Sequence, residues 1–179
     1  MQSRPDSLFF SGFSLCHEKE LFAEKIDPSP FCIAGFSYGA IKAYEYTVQS
    51  GKRVDTLQLF SPAFFQDKDA KYKRLQLMFY QKDRAAYTQN FLQNCAFPSA
   101  VDLASCLCEG RADELRELLE YEWDPEGLKN LVKNGTTLEV HLGEEDRIID
   151  SEKALEFFSP LATVYFYKRC GHILKGNDL

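Results

Sequence analysis

Gly35-Phe36-Ser37-Tyr38-Gly39 sets a serine between two glycines. The residues ahead of it, Phe31-Cys32-Ile33-Ala34, are an apolar run of strand length, and those behind it, 39–49, carry Ile41, Ala43, Tyr44 and Val48 on helical faces. A strand that turns at once into a helix strains the residue at the turn and leaves its flanking positions no room for side chains. The helix N-terminus also brings partial positive charge beside the hydroxyl. Ser37 is therefore the candidate nucleophile for attack on a carbonyl; the plain alternative is a structural tight turn.

A serine hydroxyl attacks only when a base takes its proton, and that base needs a partner that holds the right tautomer. The chain offers three histidines. His17 precedes the nucleophile, and His141 lies inside the stretch LEVHL, where side chains ordinarily pack against a helix. His172, in Cys170-Gly171-His172, follows the last apolar run, ATVYFY at 162–167. It thus falls at the carboxyl end of a strand, the edge where open α/β sheets build their sites, and is the candidate base. The acid belongs after the preceding strand, within Gly143-Glu144-Glu145-Asp146-Arg147-Ile148-Ile149-Asp150. Asp146 is the candidate; Asp150 is the alternative, its place just before the helical stretch 151–158 suiting an N-cap. Glu144 and Glu145 read as solvated charges. The oxyanion formed on attack needs two preorganised N–H donors. Tyr38, next after the serine, supplies one, and Phe13 in Ser11-Gly12-Phe13-Ser14 the other, Gly12 letting the backbone approach closely.

Short apolar runs at 7–11, 31–34, 53–60, 138–142 and 162–167 alternate with helical patterns, which implies parallel pairing through crossovers in a layered α/β sheet. The alternation fails between Pro62 and Gly135, where helical patterns at 72–79, 85–93 and 112–120 recur without a strand. The expected organisation is a core of residues 1–61 and 135–179 with a helical cap inserted at 62–134. No repeat or low-complexity linker divides the chain.

At 179 residues, 45% hydrophobic and 27% charged, the chain has the composition of an ordinary globular domain. Its net charge of -6 lacks the cationic footprint of a nucleic-acid binder. No apolar run approaches the roughly 20 residues of a membrane span, and Leu8-Phe9-Phe10 is too short for a signal-peptide core, so the expected compartment is the cytoplasm. The six cysteines, Cys16, Cys32, Cys95, Cys106, Cys108 and Cys170, show no metal-site spacing. In that compartment they are expected to be free thiols acting as small buried hydrophobes. Nothing in the pattern calls for a metal or organic cofactor. One local charge anomaly stands out. Lys68, Lys71, Lys73, Arg74, Lys82 and Arg84 face only Asp69 and Asp83, an excess of +4 on an acidic protein. A basic cap surface suits an acidic partner, although a solvated helix face is the ordinary alternative.

With these motifs the chain resembles the α/β-hydrolase superfamily. Longer strings are similar to the BioV-type pimeloyl-acyl-carrier-protein methyl ester esterases: Phe9-Phe10-Ser11-Gly12-Phe13, Gly35 through Ala43, Leu59-Phe60-Ser61-Pro62, Lys73-Arg74-Leu75-Gln76-Leu77 with Gln81-Lys82-Asp83, and Leu155-Glu156-Phe157-Phe158. The resemblance implies a minimal α/β-hydrolase of about five mostly parallel strands; the chain departs from the superfamily in that its first strand is expected near residue 7, with no N-terminal antiparallel hairpin expected ahead of it. It also implies a serine carboxylesterase that removes the methyl group from pimeloyl-acyl carrier protein, with Ser37, Asp146 and His172 as its triad and Phe13 and Tyr38 at the oxyanion positions. Lys71, Lys73, Arg74, Lys82 and Arg84 would then meet the acyl carrier protein. A generalist esterase or acyl thioesterase, and a non-catalytic module on the same scaffold, are the competing expectations.

Overall fold

The computed structural model describes residues 7–177. Five strands form one sheet in the order of the chain, β1 (Leu8–Phe10), β2 (Cys32–Phe36), β3 (Thr56–Phe60), β4 (Thr137–Gly143) and β5 (Thr163–Tyr167). Every neighbouring pair is parallel, with Gly35 beside Leu59 and Val140 beside Val164 in register. Parallel strands are covered on both faces, and β2 accordingly buries all five of its residues.

Side-chain alternation along the strands sorts the core into two halves. Leu57, Leu59, Leu138, Val140 and Leu142 point to one face and pack with α1 (Tyr38–Gln49), α5 (Pro125–Lys133) and α6 (Ser151–Phe158). Ala34, Phe36 and Phe60 point to the other, where they meet Phe22 of a 3-10 helix (Glu18–Phe22), Cys95 and Ile173. The stretch after the first strand folds as a short 3-10 helix that places Phe22 against Phe36 and Phe60, ring centroids 4.9 Å from each.

Between β3 and β4 stand α2 (Ala70–Lys82), α3 (Arg84–Ala96), a 3-10 turn (Ala104–Cys106), α4 (Ala112–Glu120) and α5. Asp69 and Asp83 cap α2 and α3 through the N–H groups of Tyr72 and Ala86, so the two carboxylates within the basic segment are occupied in helix capping. The helix α5 has no counterpart in the sequence reading. Its Leu128 is fully buried, and the helix packs on the sheet beside Tyr44.

The cysteine expectation needs correction. Cys16 and Cys108 form a disulfide with a Cα–Cα distance of 5.8 Å, while Cys32, Cys95, Cys106 and Cys170 are free. The partners are 92 residues apart in sequence, and their meeting depends on how the segment after α3 folds back over the loop after β1. An antiparallel bridge between Leu15 and Leu107, with Cys16 N–H donating to the Cys106 carbonyl and Cys108 N–H to that of Ser14, joins the same segments. Among the described residues no helix is long and apolar enough to cross a membrane.

Candidate active site

Ser37 stands at the joint of β2 and α1 with φ 55° and ψ −116°, a conformation that costs a non-glycine residue about 1–3 kcal/mol and persists only where the surroundings enforce it. The surroundings do so by contact. A Cβ on Gly35 would lie 2.1 Å from the Gly39 carbonyl oxygen, and one on Gly39 would lie 2.0 Å from that of Phe10. The flanking glycines allow helix and strand to close on each other, which aims the serine side chain away from both.

His172 approaches from the loop after β5 and is fully buried. Its Nε2 lies 3.0 Å from Ser37 Oγ, and its Nδ1 lies 2.6 Å from Asp146 Oδ2. Asp146 comes from the loop after β4, with its side chain fully buried. Its second oxygen, Oδ1, accepts the N–H groups of Ile148 and Ile149 at 2.7 and 3.0 Å. The carboxylate is therefore oriented before it meets the imidazole. Ser61 Oγ donates to the His172 carbonyl at 2.6 Å, and the Phe36 ring packs on the imidazole at 5.0 Å. Asp150 accepts from Lys153 N–H as the N-cap of α6, which leaves it no part in this chain of contacts. His17 precedes the first 3-10 turn. His141 is buried between Phe60 and Tyr165, its Nδ1 bonded to the Tyr167 hydroxyl at 2.9 Å.

The two N–H groups read as oxyanion donors are turned by the same device. A trans peptide unit points its C=O and N–H in opposite directions. The Ser37 carbonyl accepts from Ala40 and Ala63 N–H at 3.1 and 3.0 Å, and the Gly12 carbonyl accepts from Leu15 N–H at 3.2 Å. The Tyr38 and Phe13 N–H groups point the other way, and neither finds a protein acceptor among the described residues. The Tyr38 side chain is engaged elsewhere, its hydroxyl donating to Glu117 at 2.6 Å beside the Lys42–Glu117 ion pair. Burial and the Glu117 carboxylate hold that phenol above its ordinary pKa.

A cavity of about 180 Å³ opens onto Ser37 and is walled by residues of α2, α3 and α4. Phe13, Phe65, Phe91 and Leu119 give it apolar walls, while Gln76 from α2, Asn90 and Asn94 from α3, and Arg147 add polar ones. The sequence reading named neither Arg147 nor these carboxamides as site residues. Their signal is weak: Asn90 and Asn94 recur four residues apart, a spacing shared with any polar helix face.

The basic segment behaves differently from the interior. Tyr72, Gln76 and Tyr80 turn inward, whereas Lys71, Arg74, Lys82 and Arg84 are exposed and Lys73 is half-buried. Lys71, Lys73, Arg74 and Lys82 make no ion pair among the described residues; Arg84 lies over the Tyr80 ring, and Lys68 pairs with Asp67. Met78 and Phe79, each 49% exposed, stand on the same helix.

No family model and no curated protein matches the chain. Solved structures do. The naproxen esterase (carboxylesterase NP) from Bacillus subtilis superposes over 97% of this chain and 79% of its own, with TM-score 0.63 and 13% identity. A hydrolase from Oleispira antarctica covers 96% of this chain and 85% of its own at TM-score 0.68 and 10% identity. An esterase from Exiguobacterium antarcticum covers 79% and 59% at TM-score 0.60 and 18% identity. Among the described residues, five parallel strands in one sheet and six helices, matched by these neighbours, give this chain the α/β-hydrolase fold.

Proposed function

We propose that the chain is a serine esterase that hydrolyses the methyl ester of a pimeloyl chain carried on acyl carrier protein, leaving the carrier thioester intact. The observation that carries the reading is the contact chain from Asp146 through His172 to Ser37, buried and opening onto a cavity walled by α2, α3 and α4. In this mechanism Ser37 Oγ attacks the ester carbonyl while His172 Nε2 takes its proton, and Asp146 stabilises the imidazolium. The oxyanion is held by the Phe13 and Tyr38 N–H groups, each worth about 3 kcal/mol of barrier. His172 then returns the proton to the departing methoxide, and a water activated by the same imidazole hydrolyses the acyl-enzyme. Esterases among the structural neighbours support the reaction class.

The carrier half of the reading is supported by the outer surface of α2. Lys71, Lys73, Arg74 and Lys82, without an ion pair among the described residues and next to exposed Met78 and Phe79, suit an acidic protein with apolar contacts of its own. Tyr72 and Gln76 of the same helix line the cavity, so a partner docked on the outside would be a helix thickness from the entrance.

Mass spectrometry of methyl-pimeloyl-acyl carrier protein, incubated with the wild type and with Ser37→Ala, tests it. Loss of the methyl group alone, abolished in Ser37→Ala, is expected. Release of the whole acyl group would make the protein a thioesterase, and an untouched carrier with active hydrolysis of small esters would make it a generalist. Neutralising Lys71, Lys73 and Arg74 is expected to weaken the carrier-bound reaction at least tenfold more than hydrolysis of a small ester; equal losses would return these residues to a solvated helix face.

A further inference from the structure

Glu18 is wholly buried, yet it belongs to no part of the relay described above. Its Oε1 accepts the Gly12 N–H at 2.7 Å, and its Oε2 has no partner among the described residues. A buried carboxylate carries a large desolvation cost, so one held against a single backbone N–H calls for an explanation. The position of that N–H supplies one.

Gly12 N–H belongs to the peptide unit immediately before the one that presents Phe13 N–H. The first unit is held by Glu18, and the second is held at its Gly12 carbonyl by Leu15 N–H. Only the φ and ψ of Gly12 connect them, and glycine sets little intrinsic preference on either. Without the Glu18 contact Phe13 keeps the Leu15 bond to the Gly12 carbonyl and the packing of its ring on Tyr80 and Phe91, but the peptide unit ahead of Gly12 loses its hydrogen-bonded restraint. On the far side the loop is held by the Leu15–Leu107 bridge and the Cys16–Cys108 disulfide, both beyond Phe13. Glu18 supplies the restraint on the near side.

We infer that Glu18 is a positioning residue for the oxyanion: its carboxylate oxygen fixes Gly12 so that Phe13 N–H is aimed before the substrate arrives. This rests on the reading of Ser37 as the nucleophile. The role requires an acceptor oxygen at that point and does not require the charge. Preorganisation of this kind favours the transition state over the bound substrate, so its loss appears in kcat with KM little changed.

Two conservative variants separate acceptor from charge. Glu18→Gln keeps an oxygen in place and removes the charge. Glu18→Asp keeps the charge and withdraws the oxygen by about 1.5 Å, one C–C bond length. With a p-nitrophenyl butyrate assay, Glu18→Asp is expected to lose about 100-fold in kcat with KM within threefold. A trifluoromethyl ketone that forms the tetrahedral adduct should bind it weaker by a similar factor. Glu18→Gln is expected to stay within fivefold of wild type. The reverse order, or kcat and adduct affinity unchanged in Glu18→Asp, overturns the proposal. Amide exchange in the wild type gives a check independent of any variant. Slow exchange at Gly12 is expected, and exchange as fast as in an open loop would count against the contact. If the wild type neither hydrolyses esters nor reacts with a fluorophosphonate probe, the failure lies with the serine-esterase reading and not with Glu18.

Discussion

Replacing Asp146 by asparagine tests the relay more sharply than removing the side chain, because the structure dictates which way the amide must face. Oδ1 accepts two backbone N–H groups, from Ile148 and Ile149, and an asparagine keeps both only with its carbonyl oxygen there. Its NH2 group then occupies the place of Oδ2, 2.6 Å from His172 Nδ1, and donates to that nitrogen. A ring nitrogen that accepts carries no proton, so the imidazole proton moves to Nε2 and points at Ser37 Oγ. The base then has no lone pair for the serine proton, and such a tautomer lock is worth roughly 10⁴-fold in kcat. The escape is to flip the amide, which sets NH2 against both backbone donors. Two groups left unsatisfied at about 2 kcal/mol each make roughly 4 kcal/mol, or a population near 10⁻³. The expected loss in kcat is therefore between about 10³ and 10⁴. Asp146→Asn should melt near the wild type, whereas Asp146→Ala should also lose about 2–4 kcal/mol of stability by leaving two partly buried N–H groups without their acceptor. The assay is hydrolysis of p-nitrophenyl butyrate with thermal unfolding followed in parallel. An Asp146→Asn enzyme within tenfold of wild type would refute the reasoning.

Two further outcomes follow from the core. His141 is held at a pKa of about 4 by burial and by the Lys25 charge; Glu139, 3.6 Å from its Nε2, does not offset these. Because the unfolded chain takes up this proton near pH 6.5 and the folded chain does not, the stability is complete above pH 6.5. It falls by up to about 3 kcal/mol as the pH drops toward 4. His141→Leu should flatten the urea-stability profile over that window, and a profile as steep as wild type would exclude His141 as its source. The Cys16–Cys108 disulfide closes a separation of 92 residues, for which the chain-entropy model gives roughly 4–5 kcal/mol. A phosphine reductant should lower the melting temperature of the wild type and leave that of a Cys16→Ser, Cys108→Ser double variant unmoved. Titration of all six thiols in denaturant without reductant would show that the bond does not form.

What the sequence determines by itself is what neighbouring residues settle among themselves. Phe31 to Gly39 specifies a buried strand, a tight turn and a helix because the two glycines answer to contacts within five residues and to one strand beside them. Alternating apolar runs likewise announce the other strands, although β3 begins at Thr56, later than the apolar pattern, which starts near Arg53. The sequence favours Asp146 as the acid over Asp150, whose place just before a helical stretch suits an N-cap. Four residues apart in one loop, both carry the same chemistry, and the difference is that one meets His172 while the other caps α6. That difference is set by the parallel register of β4 and β5, which brings Gly143 beside Tyr167 and so aligns the two loops that follow. The same holds for Glu18, Cys108 and α5. A glutamate after a histidine, a cysteine in an irregular stretch and a short amphipathic run each look ordinary along the chain. Each acquires its role from a surface that folds onto it: the underside of the Gly12 turn, the loop beyond Phe13, and the sheet beside Tyr44. Periodicity and sterics act over a few residues and can be read in order. Contacts across 92 or 135 residues depend on how the cap and the sheet edges come together, and only the tertiary structure decides them.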